Sequence, residues 1–395
     1  MADRLRILWV GAGLLLLVFV PAYLFTLTPG QGMPRDGTSL VVGRDFLNIW
    51  MYGRAAWEAN PERYYELDTY IAALGPIVGA GYPGQLWSYP PVAMLVAAPF
   101  GLLPYLPALA LWTMCGTVAF AVALRPWTAS LTDAKWRITA LLLASPAALL
   151  GVMSGQFALF AAAIILSVLR WRDSRPWLAG ALVGLLLVKP QLGLLFPVLF
   201  LSTRNWRAFA AAALSSLTLA AIVALIWGVD IWRIYGETGI ANQSLVLSDP
   251  DHLAGPFMAT LFMNLRVVGV AVPLASGLQM VLALFAATLV WWRFRQRPAA
   301  TDLSANLLFL ACAMSATPYM LSYDTLSFAS MAVLALAVGQ ERIMPLLVFF
   351  LPLLQLVAGM VGVPGPGLIP IIVAVHLAAR KKKLRRRLKF ICARP

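Results

Sequence analysis

The sequence is poor in charge, and poorest in acid. Only 12% of its 395 residues are charged, with 30 Lys and Arg against 16 Asp and Glu, where an ordinary soluble domain carries roughly a quarter. So few polar groups cannot cover, in water, a chain that is 61% hydrophobic. Histidine occurs only as His252 and His376, too few for a histidine-based metal site. Cysteine is also scarce: Cys115 and Cys312 fall in apolar runs and Cys392 in a basic tail, which argues against a disulfide framework. No Walker A loop, Rossmann glycine fingerprint or catalytic serine elbow occurs. Nothing therefore points to nucleotide hydrolysis or to a nucleotide-sugar site in a soluble fold.

What the chain has in abundance is apolar length. Runs long enough to cross a bilayer as a helix, about 20 residues, recur from Leu8 to Ala378. They predict an all-α, polytopic transmembrane bundle of about 11 to 13 spans in which residues 1–395 form a single membrane domain. The first run, Ile7 to Leu27, lacks a small-x-small cleavage site and reads as an uncleaved span. The net charge of +14 sits in short clusters between apolar runs, a topology signal rather than a nucleic-acid footprint.

Those clusters give an orientation. Arg4 and Arg6 place the N-terminus in the cytoplasm. Arg170, Arg172 and Arg175 mark a cytoplasmic turn, as do Arg204 and Arg207, then Arg293, Arg295 and Arg297. The basic tail, residues 380–395, lies on the same side, as an anchor or as a ligand for anionic headgroups. Residues 29–88 then form a long first external loop and residues 228–267 a second external segment. Pro90–Leu103 is too short for a comfortable crossing and reads as a re-entrant or partial helix. Most of the unusual polar, proline and aromatic motifs fall on the external side. Short paired spans imply a cavity in the outer leaflet, because irregular backbone survives at membrane depth only when buried or facing water.

The first external loop contains Gly43-Arg44-Asp45-Phe46, opening a stretch where Phe46, Ile49, Gly53 and Trp57 follow helical spacing. A surface helix is expected there, with Trp and Tyr at headgroup level. Asp45 is its N-cap, a general base, or both. Pro61 suits the start of a second short helix. Trp87-Ser88-Tyr89-Pro90-Pro91 is a rigid entry to the bilayer, and its rings are candidates to line a sugar site. Lys189 interrupts an apolar run; a charge at that depth costs about 2.5–3.5 kcal/mol on insertion scales. It either snorkels to the interface or binds phosphate, with Gln191 as a neighbouring donor. Gln156 closes a Ser-Gly-Gln turn. Asp249-Pro250-Asp251-His252 has the look of an acidic metal motif, but so short a pattern is common. Arg266 stands near an outer span end. Tyr319, Tyr323 and Asp324 lie at a further external tip, with Asp324 a second carboxylate candidate.

The ordered set Arg44-Asp45-Phe46, Tyr64-Tyr65, Trp87 to Pro91, Ser154-Gly155-Gln156, Lys189-Pro190 and Asn205-Trp206-Arg207 resembles glycosyltransferase family 87, the DUF2029 group of the GT-C superfamily. The resemblance implies a membrane hexosyltransferase that takes a sugar, mannose in some members, from a polyprenyl phosphate. It implies a lipid or glycan acceptor on the outer face of a bacterial inner membrane. It makes Asp45 the catalytic base. Lys189, Gln191 and Arg266 are then candidates for the donor phosphate. Arg44, Tyr89, Gln156, His252, Tyr319, Tyr323 and Asp324 are candidates for sugar or acceptor. No metal or cofactor is expected. Mannosyltransferase members carry histidine near the motif that reads Pro318–Asp324 here, where this chain has Tyr323-Asp324. A transporter or lipid flippase, and a non-catalytic subunit of envelope glycan assembly, are the rival readings.

Overall fold

The computed structural model describes residues 2–392 except 31–32, 80–81, 83–84, 132–133, 249–257 and 364; for residue 2, 246–248 and 381–392 it describes the backbone alone. The described residues are helical throughout and contain no β-strand, only isolated bridges such as Met258 to Leu321. In chain order the helices begin with α1 (Ala2–Phe25), α2 (Phe46–Ala55), α3 (Leu67–Val78), α4 (Val92–Gly101) and α5 (Tyr105–Thr128). Then come α6 (Lys135–Leu143), α7 (Pro146–Met153), α8 (Ala158–Trp171), α9 (Pro176–Leu185), α10 (Phe196–Ser202) and α11 (Trp206–Trp227). The second half holds α12 (Asp230–Ile234), α13 (Ile240–Ser248), α14 (Leu261–Val267), α15 (Val272–Phe294) and α16 (Leu303–Ala316). It ends with α17 (Leu326–Ala337), α18 (Met344–Met360) and α19 (Ile369–Cys392).

Length and burial run in opposite directions. Helices α1, α5, α11 and α15 are long and apolar enough to span a bilayer alone, and the pair α6 and α7, bent by 53° at Ala144-Ser145, forms a broken fifth. These long helices present bare apolar faces: Leu17 is 75% exposed, Leu225 84% and Met280 66%. In water such faces would be a liability, and in lipid they are at rest. The shorter apolar helices include α8, α16 and α17. Every residue of α17, and every residue of α16 from Ala305 onward, is buried. A helix surrounded by protein need not match the bilayer thickness, which is how short elements serve at membrane depth. The protein is a polytopic helical membrane protein.

The first loop departs from the sequence expectation in one respect. The surface helix expected from Phe46 is α2, and nine of its ten residues are buried. The reason is a backbone contact with α4. A Cβ on Gly53 would lie 2.3 Å from the Ala97 carbonyl oxygen, and one on Gly101 would lie 2.0 Å from the Gly53 carbonyl carbon. Two glycines facing each other let the helices touch main chain to main chain, so α4 covers what the bilayer surface would otherwise have covered. The expected second helix starts at Pro61 as a short 3₁₀ turn, Pro61–Tyr65. After it, α3 is the amphipathic surface helix, burying Tyr70, Leu74 and Val78 at a spacing of four. Pro90–Leu103 yields α4, ten residues long.

An aromatic plate ties this loop together. Tyr52 stacks on Trp87 with ring centres 3.6 Å apart, and Tyr64, Tyr65 and Tyr70 surround Trp87. The hydroxyls of Tyr52 and Tyr65 both donate to the Tyr89 carbonyl, at 2.9 and 2.8 Å. Tyr70 donates to Asn48, whose Nδ2 donates to the Leu86 carbonyl at 3.0 Å. The segment 86–89 is thus clamped where α2 and α4 meet.

Candidate active site

Asp45 occupies the N-cap position of α2, but its side chain makes no capping hydrogen bond. The carboxylate turns the other way. Gln156 Nε2 donates to its Oδ2 at 2.7 Å, and the Tyr323 hydroxyl donates to the same oxygen at 3.2 Å. The backbone is bent to permit this. Arg44, just before it, sits at φ +40°, a region L-residues rarely enter. Arg44 is held there by an ion pair of 2.7 Å to the buried Asp36.

Gln156 is aimed by its turn. Gly155 adopts φ +58°, and a Cβ there would lie 2.4 Å from that of Phe46. Only glycine lets the Ser154-Gly155-Gln156 turn lie against the start of α2, where the Phe46 N–H donates to the Ser154 carbonyl at 3.1 Å. Gln156 then bridges outward, its Oε1 accepting from the Tyr89 hydroxyl at 3.1 Å. Tyr89, Gln156, Asp45 and Tyr323 form one continuous chain of hydrogen bonds. A small apolar cavity lies behind Tyr89, lined also by Ile49, Trp112, Phe157 and Val188.

Lys189 sits between two 3₁₀ turns, Leu186–Val188 and Pro190–Gly193, which break the path from α9 to α10. It is buried rather than at the interface. Its Nζ lies 3.0 Å from Asp324 Oδ1 and 4.8 Å from the centre of the Tyr323 ring. Asp324 is buried too, its Oδ2 accepting from the Leu321 N–H at 3.3 Å. Burial raises the Asp45 carboxyl above the usual Asp range, partly offset by the Gln156 hydrogen bond, the Lys189 charge and the Tyr323 hydrogen bond. A carboxylate in that condition holds a proton more readily than an exposed Asp, which suits a general base. Part of its surface stays open.

The structure gathers seven of the sequence-derived candidates: Asp45, Tyr89, Gln156, Lys189, Tyr319, Tyr323 and Asp324. Tyr319 packs with Leu86 against the apolar group that contains Leu321 and Tyr323. Gln191 follows in the 3₁₀ turn after Lys189, partly buried. Arg266 is engaged at the end of α14, donating to the Val270 carbonyl at 2.7 Å. Arg44 pairs with Asp36 at 2.7 Å, and its charge still reaches the Asp45 carboxylate. His252, with the rest of Asp249-Pro250-Asp251-His252, lies outside the described residues. One neighbour escaped the sequence reading: Gln243 of α13 lies beside Tyr319. Its only sequence signal is an Asn-Gln pair in a largely apolar stretch.

Comparison with known proteins bears on this geometry. The model of the family described as Glycosyltransferase family 87 matches residues 87–318, more than half of the chain. Two curated proteins of Mycobacterium tuberculosis, from strains CDC 1551 and H37Rv and both named Alpha-(1->3)-arabinofuranosyltransferase, are 36% identical over 148 residues. That stretch is 33% of this chain and 32% of each relative, so the chain spans about a third of the length of the curated relatives it matches. No solved structure matches the chain.

Proposed function

The chain belongs to glycosyltransferase family 87, a membrane glycosyltransferase, and from that premise we propose that it transfers a sugar from a polyprenyl-phosphate donor by direct displacement with Asp45 as general base. The observation that carries the reading is the Asp45 carboxylate, turned away from its helix, held by Gln156 at 2.7 Å and Tyr323 at 3.2 Å, and close to a buried lysine.

Asp45 takes the proton of an acceptor hydroxyl. The hydroxyl oxygen forms a bond to the anomeric carbon as the bond from that carbon to the phosphate oxygen breaks. The electron pair leaves with the phosphate, and the anomeric configuration inverts. Phosphate leaves without protonation, so one carboxylate suffices where a glycosidase generally uses two. Lys189 stabilises the departing phosphate, a role that requires it to exchange Asp324 for the incoming anion. Gln191 and Arg266 are the further cationic or polar groups proposed for that phosphate. Tyr89, Gln156, Tyr319, Tyr323 and Asp324 border the sugar and acceptor, and Arg44 and His252 are proposed for the same role.

The site faces the outside of a bacterial inner membrane, with both termini in the cytoplasm, and the acceptor is a lipid or glycan. For the sugar, arabinofuranose is the first to test, because the matched relatives carry that activity in their name; mannose is the second, following the resemblance. The test uses purified protein with polyprenyl-phosphate arabinofuranose and polyprenyl-phosphate mannose. Asp45→Asn keeps an acceptor oxygen for Gln156 and Tyr323, so it folds, yet transfer falls by about a thousandfold. Full transfer by that variant removes Asp45 from the chemistry.

A further inference from the structure

The first amides of α2 are met by backbone, not by a side chain. The Phe46 N–H donates to the Gly43 carbonyl at 2.7 Å as well as to Ser154, and the Leu47 N–H donates to the Arg44 carbonyl at 3.0 Å. Asp45 itself has helical angles, φ −68° and ψ −16°, whereas a residue that caps through its side chain is extended. A left-handed turn makes this arrangement, with Gly43 at φ +87° and Arg44 at φ +40°. Glycine enters that region freely, and arginine stays there only when held. The Arg44 carbonyl also accepts from Gln85 Nε2 at 3.0 Å, and the Arg44 Nε donates to Asp36 Oδ2 at 2.7 Å. Asp36 is buried, and its Oδ1 accepts from the N–H and the hydroxyl of Thr38 at 2.9 and 2.6 Å. The segment that carries Asp36 is fixed in its turn. Just past the end of α1, Thr28 and Arg35 exchange backbone hydrogen bonds of 2.8 and 2.9 Å.

We propose that Asp36 is a positioning residue for glycosyl transfer, holding Arg44 in its left-handed turn so that the Asp45 carboxylate stands in the site instead of capping α2. The proposal rests on the reading of Asp45 as the general base. An aspartate before a helix has an ordinary resting place, on the amides of the first turn. Without the ion pair, Arg44 returns to a common backbone region and the Leu47 amide loses its carbonyl partner. Asp45 then moves to cover that amide. The base is intact but out of reach of an acceptor hydroxyl. Asp36 touches neither sugar nor phosphate, so its effect falls on the fraction of molecules that have the base in place.

The full chain, purified in detergent, is assayed with polyprenyl-phosphate arabinofuranose or mannose, whichever it uses. Asp36→Asn is expected to lower kcat about tenfold, with the donor KM within about twofold of the wild type. The acidic limb of its kcat/KM profile moves to lower pH, because helix amides stabilise the charged carboxylate and burial no longer opposes it. Arg44→Gly and Arg44→Ala both remove the ion pair, the charge and any contact the guanidinium makes, so they differ in backbone preference. Arg44→Gly is expected to turn over about tenfold faster than Arg44→Ala, because glycine takes the left-handed turn unaided. That comparison carries the test alone where Asp36→Asn does not fold. Asp36→Asn with the wild-type kcat and limb overturns this inference alone. So does an Asp36→Asn protein slowed equally at every pH, with an unmoved limb, and so does an Arg44→Gly protein no faster than Arg44→Ala. Full transfer by Asp45→Asn overturns the general-base reading, and the inference falls with it.

Discussion

Two polar clusters lie at opposite ends of the same buried helices. Helix α8 leads from Gln156 at one to Arg172 at the other, a path of about 21 Å for its 14 residues. Helix α16 returns from Asn306 to Thr317 and Tyr319. At the far end, Arg172 is fully buried, donating to the carbonyls of Leu169, Pro298 and Ala299 and to Asn306 Oδ1 at 2.9, 3.2, 3.0 and 2.7 Å. Asn306 in turn donates to the Ala300 carbonyl at 2.8 Å, and Asn205 donates to the Arg172 carbonyl at 2.6 Å. One cation is spread over fixed backbone dipoles that join three turns. At the near end, two carboxylates share a single lysine. The far cluster ties its guanidinium to carbonyls and an amide that stay in place, while the near one sets two carboxylates around one ammonium. Burial and polarity alone do not distinguish a structural cluster from a functional one; the balance of charge does.

The largest expected effects separate the two ends by kind. Asp45→Asn removes transfer by about a thousandfold and leaves the thermal unfolding midpoint in detergent unchanged or raised, because it removes a carboxylate that burial disfavours. Arg172→Leu does the reverse. It strands Asn306 and three carbonyls and lowers stability by about 3–5 kcal/mol, the range for breaking a buried charged contact. Any protein that remains folded keeps its KM for donor. If Arg172→Leu instead changes donor KM with no loss of stability, the two ends are not divided as argued.

Lys189 and Asp324 come next, since their pairing is where the near end mixes both roles. Lys189→Met leaves Asp324 buried without its cation, costing about 3–5 kcal/mol of stability and weakening donor use. Lys189→Met combined with Asp324→Leu removes both charges, so stability returns to within about 1 kcal/mol of the wild type. Donor use does not return, because the phosphate still lacks its lysine. Recovery of both in the double variant would make the pair structural, like the far cluster. Thermal unfolding and donor KM on the three proteins decide it.

How much of this was legible in the sequence depends on distance along the chain. The long lipid-facing helices were, because a run of apolar residues is a local signal. The break at Lys189-Pro190 and the short element after Tyr89-Pro90-Pro91 were visible for the same reason. The burial of α2 was not. Trp and Tyr at helical spacing read alike for a helix at the headgroups and for one under protein, and the deciding contact joins Gly53 to Gly101. The direction of the Asp45 side chain was equally hidden: an Asp before a helix reads as a cap, and its partner Gln156 lies 111 residues away. Lys189 stood out as a buried charge, but its partner Asp324 is 135 residues on. Gln243 carries no periodicity or motif, and its place beside Tyr319 comes from a contact that only the folded structure makes.

The smallest effect is the sharpest probe of the comparison. Gln156 contributes a hydrogen bond to the charged form of Asp45, so it pulls down a carboxyl that burial pushes up. Gln156→Leu therefore raises the Asp45 pKa further. The active base is the carboxylate, and activity is lost as pH falls through its pKa, so the acidic limb of the kcat/KM profile moves to higher pH. A shift of about one pH unit corresponds to about 1.4 kcal/mol, within the range for a hydrogen bond to a charged group. Near the limb the variant is about tenfold slower, and most of that loss is recovered at alkaline pH. Tyr323→Phe, which removes the longer bond, moves the limb the same way by less. Asn306→Leu at the far end lowers the unfolding midpoint and leaves the limb where it is. A Gln156→Leu profile lowered uniformly, with an unmoved limb, would place Gln156 with Asn306 as a packing residue and dissolve the distinction between the two ends.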